Sequence, residues 1–506
     1  ETLAENGDCH SLAVPAFRFT WLKCYLFSKA FAPFFLLVLL ALPAGGAEPP
    51  HNARVRALIA AAKLKGASAG VCVLEVKSGR VLCSIDEARL MTPASNMKLV
   101  TAGAALLLLG DKFQFTTSVY AAGKIGKQGA LDGDLVVVAG GDPAISGRQH
   151  GGKTTAVFDA WAAEIAKSVK SVEGDLVIDD TIFDRQYIHP AWPKDQLIRW
   201  YCAPVSAFAL NDNCIGVAVK PGTQAGGPAR VILDPPTEYF AVRNRCKTIA
   251  SGRSRAYISR LLKSDTLVIS GTLTPKSRGA GSPVTVVEPL RYAATVLRER
   301  LSSAGVRVRG KIVLAEKRID TKQMTRLAGT GHSLAGAIRT ANKGSQNFYA
   351  EMIFKTLGRR LGEPASFAAG ARVVTKLLAD TLAVQPDAFT IGDGSGLSKQ
   401  NALSAWQLAS FLRHLARGEH ADTFLPSLAI SGMDGTLRRR MTKAPYAGNV
   451  LAKTGHVRGV SALSGYVKSG DRLLAFSILV NGKTLDAARA RRLQDSICRL
   501  LVDSMR

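Results

Sequence analysis

The amino-acid sequence predicts an α+β fold in which one domain is interrupted by a long β-rich insertion. Three observations carry this. Residues 52–109 read as a helix, a hairpin and an apolar helix, an opening that suits an α+β domain better than a βαβ series. Residues 114–283 alternate short strand candidates with glycine-rich turns. Helical patterning then returns, and the chain closes on a hairpin and an amphipathic helix. At 506 residues, two or three domains are expected. The simplest arrangement has both flanks contributing to one sheet. It divides the chain into a leader (1–47), a first part (48–113), an insertion of two nested domains (114–283) and a second part (284–506).

Each element has a local reason. Asn52 can cap a helix over 52–64, with Val55, Leu58, Ile59 and Leu64 on its buried face. Residues 69–76 and 80–85 flank Lys77-Ser78-Gly79-Arg80 as a hairpin. Thr92 can cap the next helix, Pro93 suits its first position, and the apolar run continues to Leu109. In the middle, strands are expected at 115–120, 135–138, 176–178, 229–233, 257–262 and 266–273, with one helix at 158–168. Helices follow at 290–301, 347–357, 366–382 and 404–415. The closing hairpin pairs 461–467 with 473–480 before a helix over 485–501.

The N-terminus reads as an export signal. Residues 31–42 are apolar, follow Lys23 and Lys29, and are too short to span a bilayer comfortably. Gly45 and Ala47 fit cleavage after Ala47, giving an exported, periplasmic protein; the alternative is an uncleaved anchor. Export permits disulfides. Cys72 and Cys83 flank the first turn and could bridge neighbouring strands, and Cys214 with Cys246 is a second candidate pair. No Cys/His cluster has metal-ligand spacing, so no metal or other cofactor is expected. The formal net charge of +27 points either to a solvated basic surface or to an anionic envelope polymer. Nucleic acid is not an expected partner, since no zinc-finger or RNP signature is present. Peripheral membrane association and a homodimer are both compatible with the sequence.

Chemistry concentrates in three short elements. Ser95 lies in the first turn of its helix, and Lys98, three residues on, shares its face. A serine hydroxyl needs such a base, because almost none of it is ionised near neutral pH. Ser345 can relay a proton, and Asn347, two residues later, can orient a lysine and a substrate amide. Lys453-Thr454-Gly455 precedes the closing hairpin: Lys453 can hold an anion, Thr454 can bond a carboxylate, and Gly455 allows close backbone approach. Lys77-Ser78-Gly79 and Lys468-Ser469-Gly470 mimic this triplet but sit at hairpin turns.

Ser95-x-x-Lys98, Ser345-x-Asn347 and Lys453-Thr454-Gly455 resemble the three motifs of penicillin-binding proteins and serine β-lactamases. The 250 residues between the first two (345 minus 95) resemble the D-alanyl-D-alanine carboxypeptidase/endopeptidase family, the class C low-molecular-mass penicillin-binding proteins. Gly140-Gly141-Asp142-Pro143, Tyr201-x-Ala203-Pro204-Val205-Ser206-Ala207, Asp393-Gly394-Ser395-Gly396-Leu397-Ser398 and Asp434-Gly435-Thr436-Leu437 add to that likeness. His456 stands where the family often has Thr.

The resemblance implies a transpeptidase fold with two further domains inserted. It implies a D-Ala-D-Ala carboxypeptidase and DD-endopeptidase acting on peptidoglycan peptides through a Ser95 acyl-enzyme, with β-lactam antibiotics as covalent inhibitors. Lys98 would act as base, its proton loosened by burial and by the positive charge of Lys453, and Ser345 would protonate the leaving amine. Lys453 and Thr454 would grip the carboxylate, and the amides of Ser95 and His456 would hold the oxyanion. Asp142 would approach the cleft from the insertion. A serine β-lactamase and a non-catalytic peptidoglycan-binding protein are the competing readings.

Overall fold

A computed structural model describes residues 48–361 and 364–506. The apolar segment 31–42 and the cleavage point after Ala47 lie outside the described residues. Among these, no helix is long and apolar enough to cross a membrane.

The two ends of the chain build one antiparallel sheet of six strands. Its order is Ala429–Ile430, Val450–Val457, Val460–Ser469, Arg472–Gly482, Ala67–Glu75 and Val81–Ile85. The first long strand pairs with the last, from Ala67 opposite Gly482 to Glu75 opposite Leu474. Both faces are covered, so the strands are apolar throughout rather than alternating with polar residues. Val71 and Val73 face a core shared with Val55 of helix Asn52–Ala61 and with Leu493, Ile497 and Leu501 of helix Ala487–Ser504. Cys72 and Leu74 face the other core, with helices Met97–Leu109, Asn347–Gly358, Phe367–Leu382 and Ala405–Arg417. Helix Met97–Leu109 is buried from Met97 to Leu106, which explains why its sequence lacks a polar face.

The segment between Gln114 and Ser333 leaves and re-enters this body through paired neighbours. Strands Gln114–Ile125 and Thr325–Ser333 run antiparallel with Gln114 opposite Ser333, and Leu334 N donates to Phe113 O at 2.9 Å. They belong to a seven-stranded sheet that also draws Arg307–Val308 and Ile312–Leu314 from beyond residue 284. Two three-stranded sheets lie within the same segment. One orders Arg255–Arg260, Thr266–Leu273 and Ala241–Thr248; the other orders Ala280–Thr285, Cys214–Lys220 and Arg230–Asp234.

Three local expectations are corrected. Asn52 does not cap its helix: His51 occupies that position, and Asn52 Oδ1 instead accepts Ser84 N at 2.8 Å. Thr92 does not cap the next helix either, because its backbone is tied to the Asn481 side chain at 2.8 and 3.2 Å. The chain enters that helix through a 3-10 turn, Ala94–Asn96. The proposed disulfides are absent, since all six described cysteines are free. Cys83 sits opposite Val73, one residue out of register with Cys72, so the two thiols face different cores. Cys214 and Cys246 lie on different three-stranded sheets.

Candidate active site

Ser95 is the middle residue of the 3-10 turn, and Lys98 lies one turn along in the helix that follows. Lys98 Nζ is 3.0 Å from Ser95 Oγ. Two further acceptors fix the amine: Asn347 Oδ1 and the Ser395 carbonyl, both at 2.7 Å. Asn347 Nδ2 in turn donates to the Tyr201 carbonyl at 2.8 Å. Lys453 Nζ lies 2.8 Å from Ser345 Oγ and 2.7 Å from the Thr454 carbonyl, and Thr454 Oγ1 lies 3.0 Å from Thr436 Oγ1. Ser95, Ser345, Asn347, Trp200, Tyr201 and His456 line one cleft of about 670 Å³. Segments 250 and 108 residues apart (345 minus 95; 453 minus 345) thus converge on one serine.

Backbone geometry positions these groups. Ala94 (φ +46°) and Ser345 (φ +55°) both occupy the left-handed region, which costs a non-glycine residue about 1 kcal/mol or more. Residues 393–398 press against the turn that carries Ser95: a Cβ on Gly396, whose φ is +79°, would lie 1.8 Å from the Ala94 carbonyl oxygen. Gly455 serves a related purpose. A Cβ there would meet the Pro93 carbonyl oxygen at 2.8 Å, so the glycine lets the strand lie against the same turn. Strand Val450–Val457 pairs along its length with Val460–Ser469, but on its other side only Leu451 and Ala452 pair with Ile430 and Ala429. The outer edge from Lys453 to Val457 has no strand partner among the described residues.

Electrostatics follow from burial. Desolvation pushes Lys98 down to about 7, against the opposing pull of Glu351 and Asp393. Of the two expected causes, burial carries this shift and the charge of Lys453 does not. Instead Lys453 is itself held well below its ordinary value, by burial and then by the charge of Lys98. Burial, followed by the charge of Asp393, raises Glu351 to about 8.

Glu351 and Asp393 had no assigned role in the sequence reading. Glu351 lies one turn beyond Asn347 on the same helix and accepts the amides of Gly394 (3.0 Å) and Ser395 (2.7 Å). It thereby sets the Ser395 carbonyl on Lys98. Asp393 accepts the Gly396 and Ser398 amides, Asn401 Nδ2, and Trp192 Nε1 from the insertion at 2.9 Å. A carboxylate in a helix reads as surface charge, and backbone carbonyls leave no sequence signature. The spacing of Asn347 and Glu351 at i and i+4 was the one available signal.

His456 is exposed on the cleft wall, with Nδ1 3.1 Å from the Val460 carbonyl. Asp142 is not brought into the cleft with the others. It is fully buried, with Oδ1 accepting Ala144 N at 2.9 Å and Oδ2 lying 2.6 Å from His332 Nδ1, a contact that raises the imidazole. Among the described residues, no cluster of His, Cys, Asp and Glu could hold a metal ion.

With this geometry in view, the likeness to known proteins is decisive. A sequence profile described as the D-Ala-D-Ala carboxypeptidase 3 (S13) family matches residues 51–503. The chain belongs to that family. It is 35% identical over 449 residues to a D-alanyl-D-alanine carboxypeptidase of Actinomadura sp. (strain R39), covering 86% of this chain and 81% of that protein. The crystal structure of penicillin binding protein 4 from Haemophilus influenzae matches 88% of this chain and 99% of its own, with a TM-score of 0.76 and 25% identity. The same protein complexed with a novel β-lactam gives a TM-score of 0.71, again at 25% identity, over 89% of this chain and 99% of its own. This S13 chain therefore has the penicillin-binding protein/β-lactamase-like transpeptidase fold, with additional β-rich sheets.

Proposed function

We propose that Ser95 is the acylated nucleophile of a peptidase that cleaves D-alanyl-D-alanine bonds in peptidoglycan stem peptides. The observation that carries the reading is the 3.0 Å contact between Ser95 Oγ and a buried Lys98 that burial holds near neutrality. The chain is a serine-type D-Ala-D-Ala carboxypeptidase, and a crosslinked peptide offered to the same acyl-transfer site makes it a DD-endopeptidase. It works in the periplasm, after cleavage of its leader behind Ala47.

In the proposed reaction, neutral Lys98 accepts the Ser95 proton as Oγ bonds to the carbonyl carbon between the two D-alanines. The amides of Ser95 and His456 take the oxyanion. Collapse of the tetrahedral adduct breaks the C–N bond, and the departing amine takes the proton held by Lys98, with the Ser345 hydroxyl as the relay. Water then hydrolyses the ester, releasing the shortened peptide and restoring Ser95. Lys453 and Thr454 hold the terminal carboxylate. An incoming anion favours the charged form of a buried lysine, so Lys453 takes up a proton as substrate binds. β-Lactams enter the same step and leave a stable ester. Asp142 acts on the substrate only if the His332 contact opens.

Two measurements test this. Intact-protein mass spectrometry after penicillin treatment is expected to show one adduct on Ser95 that persists. No adduct removes the catalytic reading, and rapid release of hydrolysed penicillin indicates a β-lactamase. Incubation with linear pentapeptide and with crosslinked dimer is expected to cleave both; cleavage of the linear peptide alone removes the endopeptidase part.

A further inference from the structure

The three-stranded sheet Ala241–Thr248, Thr266–Leu273 and Arg255–Arg260 has two unlike faces. Cys246, Leu267, Ile269 and Leu273 are buried on one. Pairing aligns the other into three cross-strand rows: Arg255–Thr272–Lys247, Tyr257–Ser270–Arg245 and Ser259–Val268–Arg243. Arg243, Arg245, Lys247 and Arg255 are exposed, and none has an ion-pair partner among the described residues. Tyr257 is 50% exposed and lies under the Arg255 guanidinium, 4.8 Å from its carbon. From residue 239 to 287 there are nine lysines and arginines against one carboxylate, Asp265. That carboxylate is engaged elsewhere, with Tyr239 Oη and the Val287 amide.

Residues two apart on a strand face the same way about 7 Å apart, so Arg243, Arg245 and Lys247 form a straight row of cations. The hydroxyls of Ser259, Ser270 and Thr272 lie beside it. Such a surface is unneutralised by the protein itself. Guanidinium groups pair two-pronged with carboxylates.

The sheet is also tied to the cleft. On its buried face, Arg260 Nε donates to the Thr285 carbonyl at 2.8 Å, and Thr285 Oγ1 donates to the Leu197 carbonyl at 2.6 Å. Leu197 sits in the segment that presents Trp200 and Tyr201 to the cleft. A polymer held on the basic face would therefore be held at a fixed offset from Ser95, which raises the local concentration of its own peptides there.

We propose that this face docks the peptidoglycan strand itself, through the free carboxylates of stem peptides that are not being cleaved. The inference rests on the peptidase reading above, but the two fail separately. Turnover of a soluble D-Ala-D-Ala peptide and penicillin acylation report the catalytic site, while retention on insoluble sacculi reports the face.

The test compares the full chain with Arg243→Gln/Arg245→Gln/Lys247→Gln and with a control that removes three exposed cations elsewhere, Arg54→Gln/Arg491→Gln/Arg492→Gln. Co-sedimentation with sacculi stripped of wall phosphopolymers, at low salt, is expected to weaken on the order of tenfold for the first variant and little for the control. Soluble-peptide turnover and penicillin acylation stay unchanged in both. Charge-preserving Arg243→Lys/Arg245→Lys restores retention, and blocking the sacculus carboxylates by amidation abolishes it. Equal losses in variant and control would reduce the effect to net charge and overturn the proposal, as would no loss. A loss seen only on sacculi that still carry phosphopolymer would make that polymer the occupant and overturn the carboxylate assignment.

Discussion

Lys98 and Lys453 in the cleft, and Arg243, Arg245, Lys247 and Arg255 on the inserted sheet, share a formal charge and differ in everything that surrounds it. The cleft amines are fully buried and spend their hydrogen bonds on serine hydroxyls, an amide oxygen and carbonyls. Removed from water, an ammonium gives up its proton readily. The cations of the sheet keep their hydration and meet no carboxylate among the described residues. Burial turns a lysine into chemistry, whereas exposure leaves it as a field. The formal charge of +27 therefore says little until each cation has been placed.

Four substitutions sharpen or break that contrast. The largest effect is expected from Ser95→Ala, which leaves Lys98 without a nucleophile to activate. Peptide turnover should fall by about 10⁴-fold or more, with loss of the penicillin adduct by mass spectrometry. Lys453→Ala comes next. Its loss should cost about 10²- to 10³-fold in kcat/KM, while the unfolding midpoint moves little, because burying the amine itself opposes folding. Comparable losses of stability and activity would mean that Lys453 is structural.

Glu351→Gln tests the tuning of the cleft. Wild-type acylation should rise with pH through about 7, as Lys98 loses its proton. Glu351 opposes that loss once it is ionised, so the alkaline end of the variant's rising limb should reach its plateau at lower pH. There is a stability signature as well. Glu351 is raised from 4.5 to about 8 by folding, so the native state binds the extra proton between those values. Wild-type stability should fall with rising pH across that window, and the variant should lack that slope. An unmoved limb in pH–rate measurements would show that Glu351 does not communicate with Lys98.

The smallest effect belongs to the other region. Arg255→Gln should change stability by no more than about 0.5 kcal/mol in thermal unfolding. It should lower sacculus retention only at low ionic strength, where exposed charges are poorly screened. A loss that persisted in high salt would point to packing of Arg255 on Tyr257 rather than to its charge.

The same contrast explains what the sequence made legible. Ser95, Lys98, Ser345, Asn347 and Lys453, which converge in the cleft, were readable because they fall in short motifs of particular side chains at fixed spacings. The hairpin over 461–480 and the helix at 347–357 were readable from periodicity, and their observed counterparts differ only at the ends. The carbonyls of Tyr201 and Ser395 could not be read, since any residue supplies a carbonyl and only the fold aims it. Strands Cys214–Lys220 and Ala241–Thr248 were not expected. The second places three cations on its outward face, where a period of two is masked by hydrophilic neighbours on the other. The Cys72–Cys83 expectation failed on register, which shifts between Val73 and Leu74, and the Cys214–Cys246 expectation failed because the two lie on different sheets.

The pairing of Ala67–Glu75 with Arg472–Gly482 has a consequence for how the molecule is made. The two strands are separated by 397 residues (472 minus 75). At ordinary rates of synthesis, roughly 20 to 80 s pass between the first strand and its neighbour. For that interval the N-terminal hairpin has an open edge where Arg472–Gly482 will pair. The segment Gln114–Ser333 suffers no such delay, because its own ends pair with each other. Synthesis therefore favours a molecule whose middle is finished while its catalytic body is still in two pieces. A chain halted before residue 472 should show a protease-resistant fragment from Gln114–Ser333 and a cleavable hairpin over 67–85. Resistance of both would mean that the body closes without its last strand.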